Sequence, residues 1–140
     1  YWNRPEATAA AIDGEGWFHS GDVGYVDEDG FLFICDRLKD MVISGGENVY
    51  PAEVEGALYK HDSIAEVAVI GLPDEKWGEA VTAVVALHDG HELTLEELRE
   101  FATPLLARYK LPLRLHLVEA LPRNPAGKVL KFVLKDELSQ

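Results

Sequence analysis

Two apolar runs close together in the chain, Ile64–Leu72 (IAEVAVIGL) and Glu79–Leu87 (EAVTAVVAL), constrain the fold most. The first is too short and too β-branched for a stable helix, and the second is equally rich in valine; both read as strands buried in a sheet. Pro73-Asp74 turns the chain between them, and Leu113–Val118 reads as a third strand of this kind. Met41–Ile43 is a short apolar strand that ends in Ser44-Gly45-Gly46.

Helical signals alternate with these strands. Pro51 suits the first turn of a helix whose inner face carries Val54, Ala57 and Leu58, with His61 near its end. Thr94-Leu95-Glu96-Glu97 is a capping box, with Leu93 and Leu98 placed to staple it. The helix that follows is expected to bury Leu98, Phe101, Leu105 and Leu106, and Pro104 to kink it or end it early. Lys131–Leu138 reads as a last helix. Ahead of all this, residues 23–35 read as a β-hairpin turning at Asp27-Glu28-Asp29-Gly30, while residues 1–20 show no long period. The expectation is an α+β fold: a small sheet of about three strands flanked by helices and preceded by a hairpin.

A chain of 140 residues, 47% apolar and 27% charged, can build a core without disulfides, which excludes collagen-like and wholly disordered classes. No apolar run approaches the roughly 18 residues of a membrane span, and no signal peptide opens the chain. The single Cys35 suits a reducing compartment, so the cytosol is the default location, with peripheral membrane association left open. A net charge of −12 argues against nucleic acid as a partner. That charge is unevenly spread, because residues 108–135 hold seven basic side chains against Glu119 alone. Such a segment suits a phosphate-rich ligand, or is simply a solvated basic face. Tyr1 in place of methionine suggests a piece of a longer polypeptide.

Three places use residue types that a core does not need. In GWFHSGD (16–22), Asp22 has the two carboxylate oxygens that can hold a pair of ribose hydroxyls, though a turn-forming aspartate looks the same in sequence. In DRLKDMVISGGENVYPAEVE (36–55), Gly45-Gly46 permits close approach of backbone to a ligand, or merely links strand to helix; Arg37 and Lys39 read equally well as surface charges. In PRNPAGKVLK (122–131), two prolines and a glycine deliver Lys128 at a fixed place, where an ammonium can stabilise developing negative charge. The segment is not a phosphate-binding P-loop, since Pro122 and Val129 stand where a glycine and a hydroxyl are required. His88 and His91 have ligand-like spacing but lack partners, so no metal site is expected.

Taken together and in this order, the three segments resemble the closing motifs of the adenylate-forming enzymes: acyl- and aryl-CoA synthetases, luciferases and peptide-synthetase adenylation domains. LARYKLP (106–112) and YWNRPEAT (1–8) resemble further stretches of that family, the former mainly structural, so the likeness covers the chain. It implies that Asp22 holds the ATP ribose, that Arg37 supports the same ribose, and that Lys39 is the hinge of a rotating small domain. It further implies that Gly45 and Gly46 line a pantetheine tunnel and that Lys128 is catalytic in adenylation. Residues 1–38 would end a large N-terminal domain and residues 39–140 would form the small C-terminal one. The reaction implied uses ATP, Mg2+ and CoA: a carboxylate gives acyl-adenylate and pyrophosphate, then CoA displaces AMP. GGENVYP is more similar to fatty-acyl and chlorobenzoate-type CoA ligases than to carrier-loading domains, which favours a fatty acid and free CoA. Carrier-protein loading and a stand-alone nucleotide- or partner-binding module are the alternatives. By this likeness the chain alone, lacking the large domain as partner, is expected to be inactive, to hold no bound cofactor, and to be open to self-association through residues 1–38.

Overall fold

Asp27 organises the turn that joins the first two strands. Its Oδ1 accepts from the Asp29 and Phe31 amides at 3.0 and 2.8 Å, and Gly30 takes the left-handed φ of 86°. The computed structural model describes residues 1–139, which divide into two compact units, Tyr1–Lys39 and a second beginning at Asp40. In the first unit, helix α1 (Pro5–Ala11) starts on the proline expected at such a position, in a stretch where no helical period was visible, and buries none of its residues. Strands β1 (Asp22–Val26) and β2 (Leu32–Arg37) pair antiparallel as the expected hairpin, with Tyr25 stacked on Phe33 at 5.2 Å.

The second unit is built on one sheet. Its strands are β3 (Val42–Ser44), β4 (Glu47–Val49), β5 (Ile64–Asp74), β6 (Gly78–Leu87) and β7 (Arg114–Leu117). Strand β6 is central: it pairs antiparallel with β5 along its whole length, while β7 runs parallel to it and β3 meets it only at Ser44–Gly78. Five strands thus replace the three or so expected. Strand β4 was missed because it is three residues long, ENV, and carries no apolar alternation. The chain also turns later than Pro73-Asp74: β5 continues through Asp74, whose Oδ1 accepts from the Lys76 and Trp77 amides.

The apolar runs are continuous because both faces of the sheet are covered. Val69, Val81, Ala83 and Val85 face helices α2 (Pro51–Leu58) and α3 (Leu95–Ala102), burying Val54, Leu58 and Leu98 completely. Ala68, Ile70, Leu72 and Val84 face the other way, against Leu121 and against Leu134 of helix α4 (Lys131–Leu138). The α3 capping box forms as expected, with Glu97 N–H on Thr94 Oγ1 and Glu97 Oε2 on Thr94 N–H. The stripe of α3 differs: the helix ends at Ala102, so Leu98, Ala102 and the following Leu106 are buried while Leu105 is exposed. Phe101 instead lies edge-on to His61. The proline ended the helix rather than kinking it.

Candidate functional site

Asp22 and Arg37 stand opposite one another at the open end of the first hairpin, as the first residue of β1 and the last of β2. That register brings Arg37 Nε to 2.8 Å from Asp22 Oδ1. Ser20 supports both, its hydroxyl accepting from the Asp22 amide at 3.1 Å and its carbonyl lying 3.4 Å from Arg37 Nη1. The Asp22 side chain stays about one-quarter exposed, and among the described residues only Oδ1 has a partner. A carboxylate held on one oxygen and open on the other suits a hydroxyl donor. Lys39 follows in a short 3-10 turn, Leu38–Asp40, with its side chain exposed.

In the second unit Gly45 and Gly46 form the two-residue connection of the β3–β4 hairpin rather than a loop leading to a helix. Both have positive φ, 61° and 85°, as the favoured twisted hairpin turn requires. Gly45 has a second constraint. Its amide donates to Trp77 O at 2.8 Å, and a Cβ here would stand 2.8 Å from the Trp77 ring. Beside this turn, Ser44, Trp77, Arg99, Arg108, Tyr109, Leu111 and Leu113 line a concavity of about 390 Å3. The Arg99 guanidinium donates to Pro112 O, tying α3 to the chain entering β7. This concavity was not anticipated. The segment LARYKLP, expected to be mainly structural, does carry one usable signal in sequence, a tyrosine set between an arginine and a lysine.

Lys128 is exposed on a loop closed by its own polar groups. Asn124 Oδ1 accepts from the Ala126 and Lys128 amides at 3.0 and 2.9 Å, and the Asn124 amide donates to Lys128 O at 2.9 Å. Arg123 and Val129 bridge across its base. The basic late segment is largely neutralised within the fold. Lys110 meets Glu53 at 2.6 Å, Arg114 meets Asp74 at 2.7 Å, Arg123 meets Glu66 at 2.6 Å, and Lys131 meets Glu55 at 2.7 Å. Glu53 raises the Lys110 pKa above its ordinary value, and Arg123 followed by the Leu121 amide holds Glu66 below the usual carboxylate range. Among the described residues, the Arg108, Lys128 and Lys135 side chains have no ion-pair partner. The segment is therefore neither a uniform phosphate cradle nor a wholly solvated face. No group of three or more His, Cys, Asp or Glu side chains converges among the described residues, His88 and His91 included.

A doubly covered sheet that displays one glycine hairpin and one lysine loop defines the class. The chain belongs to the AMP-binding enzyme C-terminal domain family, whose model matches residues 53–128. It is 55% identical over 139 residues to a long-chain-fatty-acid–CoA ligase, FadD13 of Mycobacterium tuberculosis, covering 99% of this chain and 27% of that protein. It is 48% identical over 136 residues to a fatty acid–[acyl-carrier-protein] ligase, ScoC of Streptomyces coeruleorubidus, covering 97% of this chain and 26% of the relative. ATP-bound MatB from Rhodopseudomonas palustris matches with a TM-score of 0.90 at 39% identity, over the whole of this chain and 28% of that one. The chain thus spans about a quarter of the length of the curated relatives it matches.

Proposed function

We propose that this chain is the C-terminal portion of an AMP-forming acid–thiol ligase that makes acyl-CoA from a fatty acid, ATP and CoA. The observation that carries the reading is the Lys128 ammonium: exposed, without an ion-pair partner among the described residues, and set on a self-closed loop in a segment whose other cations are mostly paired. Residues 1–38 are then the end of a larger N-terminal domain and residues 39–140 the small domain, with Lys39 as the pivot. In the first half-reaction a carboxylate oxygen attacks the α-phosphorus of ATP and expels pyrophosphate. Lys128 would offset charge on the phosphate and carboxylate oxygens, and Mg2+ arriving with the nucleotide would offset more. Asp22 would accept the ribose hydroxyls, with Arg37 bracing its other oxygen. In the second half-reaction the CoA thiol attacks the acyl carbon and AMP leaves. Gly45-Gly46 has the bare backbone that a pantetheine arm needs, and the adjoining concavity offers Trp77, Tyr109 and the unpaired Arg108 to an aromatic base with phosphates.

In the full-length protein, Lys128→Ala should remove most adenylation, read by pyrophosphate exchange, and spare thioester formation from supplied acyl-adenylate. Equal loss of both half-reactions would refute the assignment. The similarity to ScoC supports a second reading, transfer to a carrier protein, which a phosphopantetheinyl protein replacing CoA as the better acceptor would establish. No helix among the described residues is long and apolar enough to cross a membrane. The free thiol of Cys35 supports a reducing compartment, and the proposed location is the cytosol.

A further inference from the structure

The Lys128 loop is closed on itself by Asn124, but that closure alone does not fix where the loop points. One polar side chain ties it to the sheet. Arg123 Nη2 meets Glu66 Oε1 of β5 at 2.6 Å, and its Nη1 donates to the carbonyl of Gly127, the residue before Lys128, at 2.7 Å. The other Glu66 oxygen, Oε2, accepts from the Leu121 amide at 3.2 Å, at the point where the chain enters the loop. The entry to the loop therefore meets this carboxylate twice, through the Leu121 amide and the Arg123 side chain, and Gly127 is tied to it only through Arg123. The carboxylate is carried by a strand paired along its length with β6.

We propose that Arg123 is a positioning residue for Lys128, a two-armed strut between Glu66 and the Gly127 carbonyl that holds the lysine loop in register with the sheet. The proposal rests on the adenylation role given to Lys128 above. The chemistry favours arginine here because a planar guanidinium presents two donors in a fixed fork, one to each acceptor. A lysine at this position keeps the charge opposite Glu66 but supplies only a point charge, and so releases Gly127 O. Asn124 and the apolar neighbours Leu121 and Val129 still close the loop in that variant, which lets it fold while its aim is lost. Small displacements of a group acting on a reacting centre are costly, about a hundredfold in rate for a misplacement of about 1 Å.

The test uses the full-length enzyme with the two half-reactions measured separately. Arg123→Lys should lower the rate constant of adenylation about tenfold to a hundredfold, with KM for ATP little changed and thioester formation from supplied acyl-adenylate retained. The exchanged pair Glu66→Arg/Arg123→Glu restores an ion pair but sets a carboxylate against Gly127 O, so it should fail to rescue adenylation. The Gly127 carbonyl carbon and Lys128 amide nitrogen resonances should shift in Arg123→Lys, because the guanidinium bond to Gly127 O is lost, while the β5 and β6 amides keep their protection. Wild-type adenylation by Arg123→Lys, equal loss of both half-reactions, or rescue by the exchanged pair would each overturn the proposal. Lys128→Ala is measured alongside. If it abolishes adenylation while Arg123→Lys does not, the strut alone is wrong; if it leaves adenylation intact, the role of Lys128 falls and the strut falls with it.

Discussion

The two units of this chain use aromatic and aliphatic side chains in opposite ways. In residues 1–39 no residue is buried: Trp17, Phe18, Phe31 and Leu32 are all more than half exposed, and the hairpin is held by turn hydrogen bonds, a Tyr25–Phe33 stack and the Asp22–Arg37 pair. From Asp40 onward the strands are covered on both faces, and Val42, Leu58, Val69 and Leu98 are completely buried. The comparison teaches that turn and register are set locally, although an isolated two-stranded hairpin is only marginally stable in water, whereas a sheet with a core draws apolar side chains from helices far away in sequence.

Side-chain truncation sharpens this contrast most. Leu98→Ala, which empties a site between α3 and the sheet, should cost about 2–5 kcal/mol in chemical denaturation. Phe33→Ala removes only a partly exposed stacking partner and should cost under about 1 kcal/mol. Equal costs would break the comparison. An effect between these two is expected at the glycine hairpin. Gly45→Ala forces a side chain into left-handed backbone and against the Trp77 ring, at about 1–2 kcal/mol, seen as a lowered denaturation midpoint.

The smallest effect is electrostatic. Glu66 is held below its ordinary pKa by Arg123 and by the Leu121 amide, so the folded state favours its charged form. Its stabilisation is fully present above the ordinary glutamate value and is lost as pH falls through the lower, folded one. Thermal melts should therefore decline on acidification, and Glu66→Gln should flatten part of that decline. A steeper acid dependence in the variant would contradict the ion pair.

Much of the fold was legible because its signals are local. Turn chemistry placed the first hairpin, the threonine–glutamate box placed the start of α3, and Pro51 placed the start of α2. Valine-rich runs placed β5 and β6 for the same reason. Strand β4 and helix α1 were not legible, since three polar residues and a short alanine-rich turn carry no period. Of the candidate site, Asp22, Arg37, Lys39, Gly45, Gly46 and Lys128 were marked by the family resemblance of their segments, since by residue type alone a turn aspartate, surface charges and a plain loop read equally well. The concavity of Ser44, Trp77, Arg99 and Tyr109 was not legible, because its walls come from four separate stretches of chain.

By itself, the order of residues determined which of the longer segments become strands and helices, where α2 and α3 start, and that Lys128 rides on a stiff loop. Those properties follow from neighbours within a few positions: a capping hydroxyl, a ring-locked φ, a glycine after two prolines. Only the tertiary structure decided which charges cancel. Glu53, Glu55, Glu66 and Asp74 are dozens of residues from Lys110, Lys131, Arg123 and Arg114, yet each pair meets at 2.6–2.7 Å. Coulombic pairing depends on separation in space, and sequence distance does not report it.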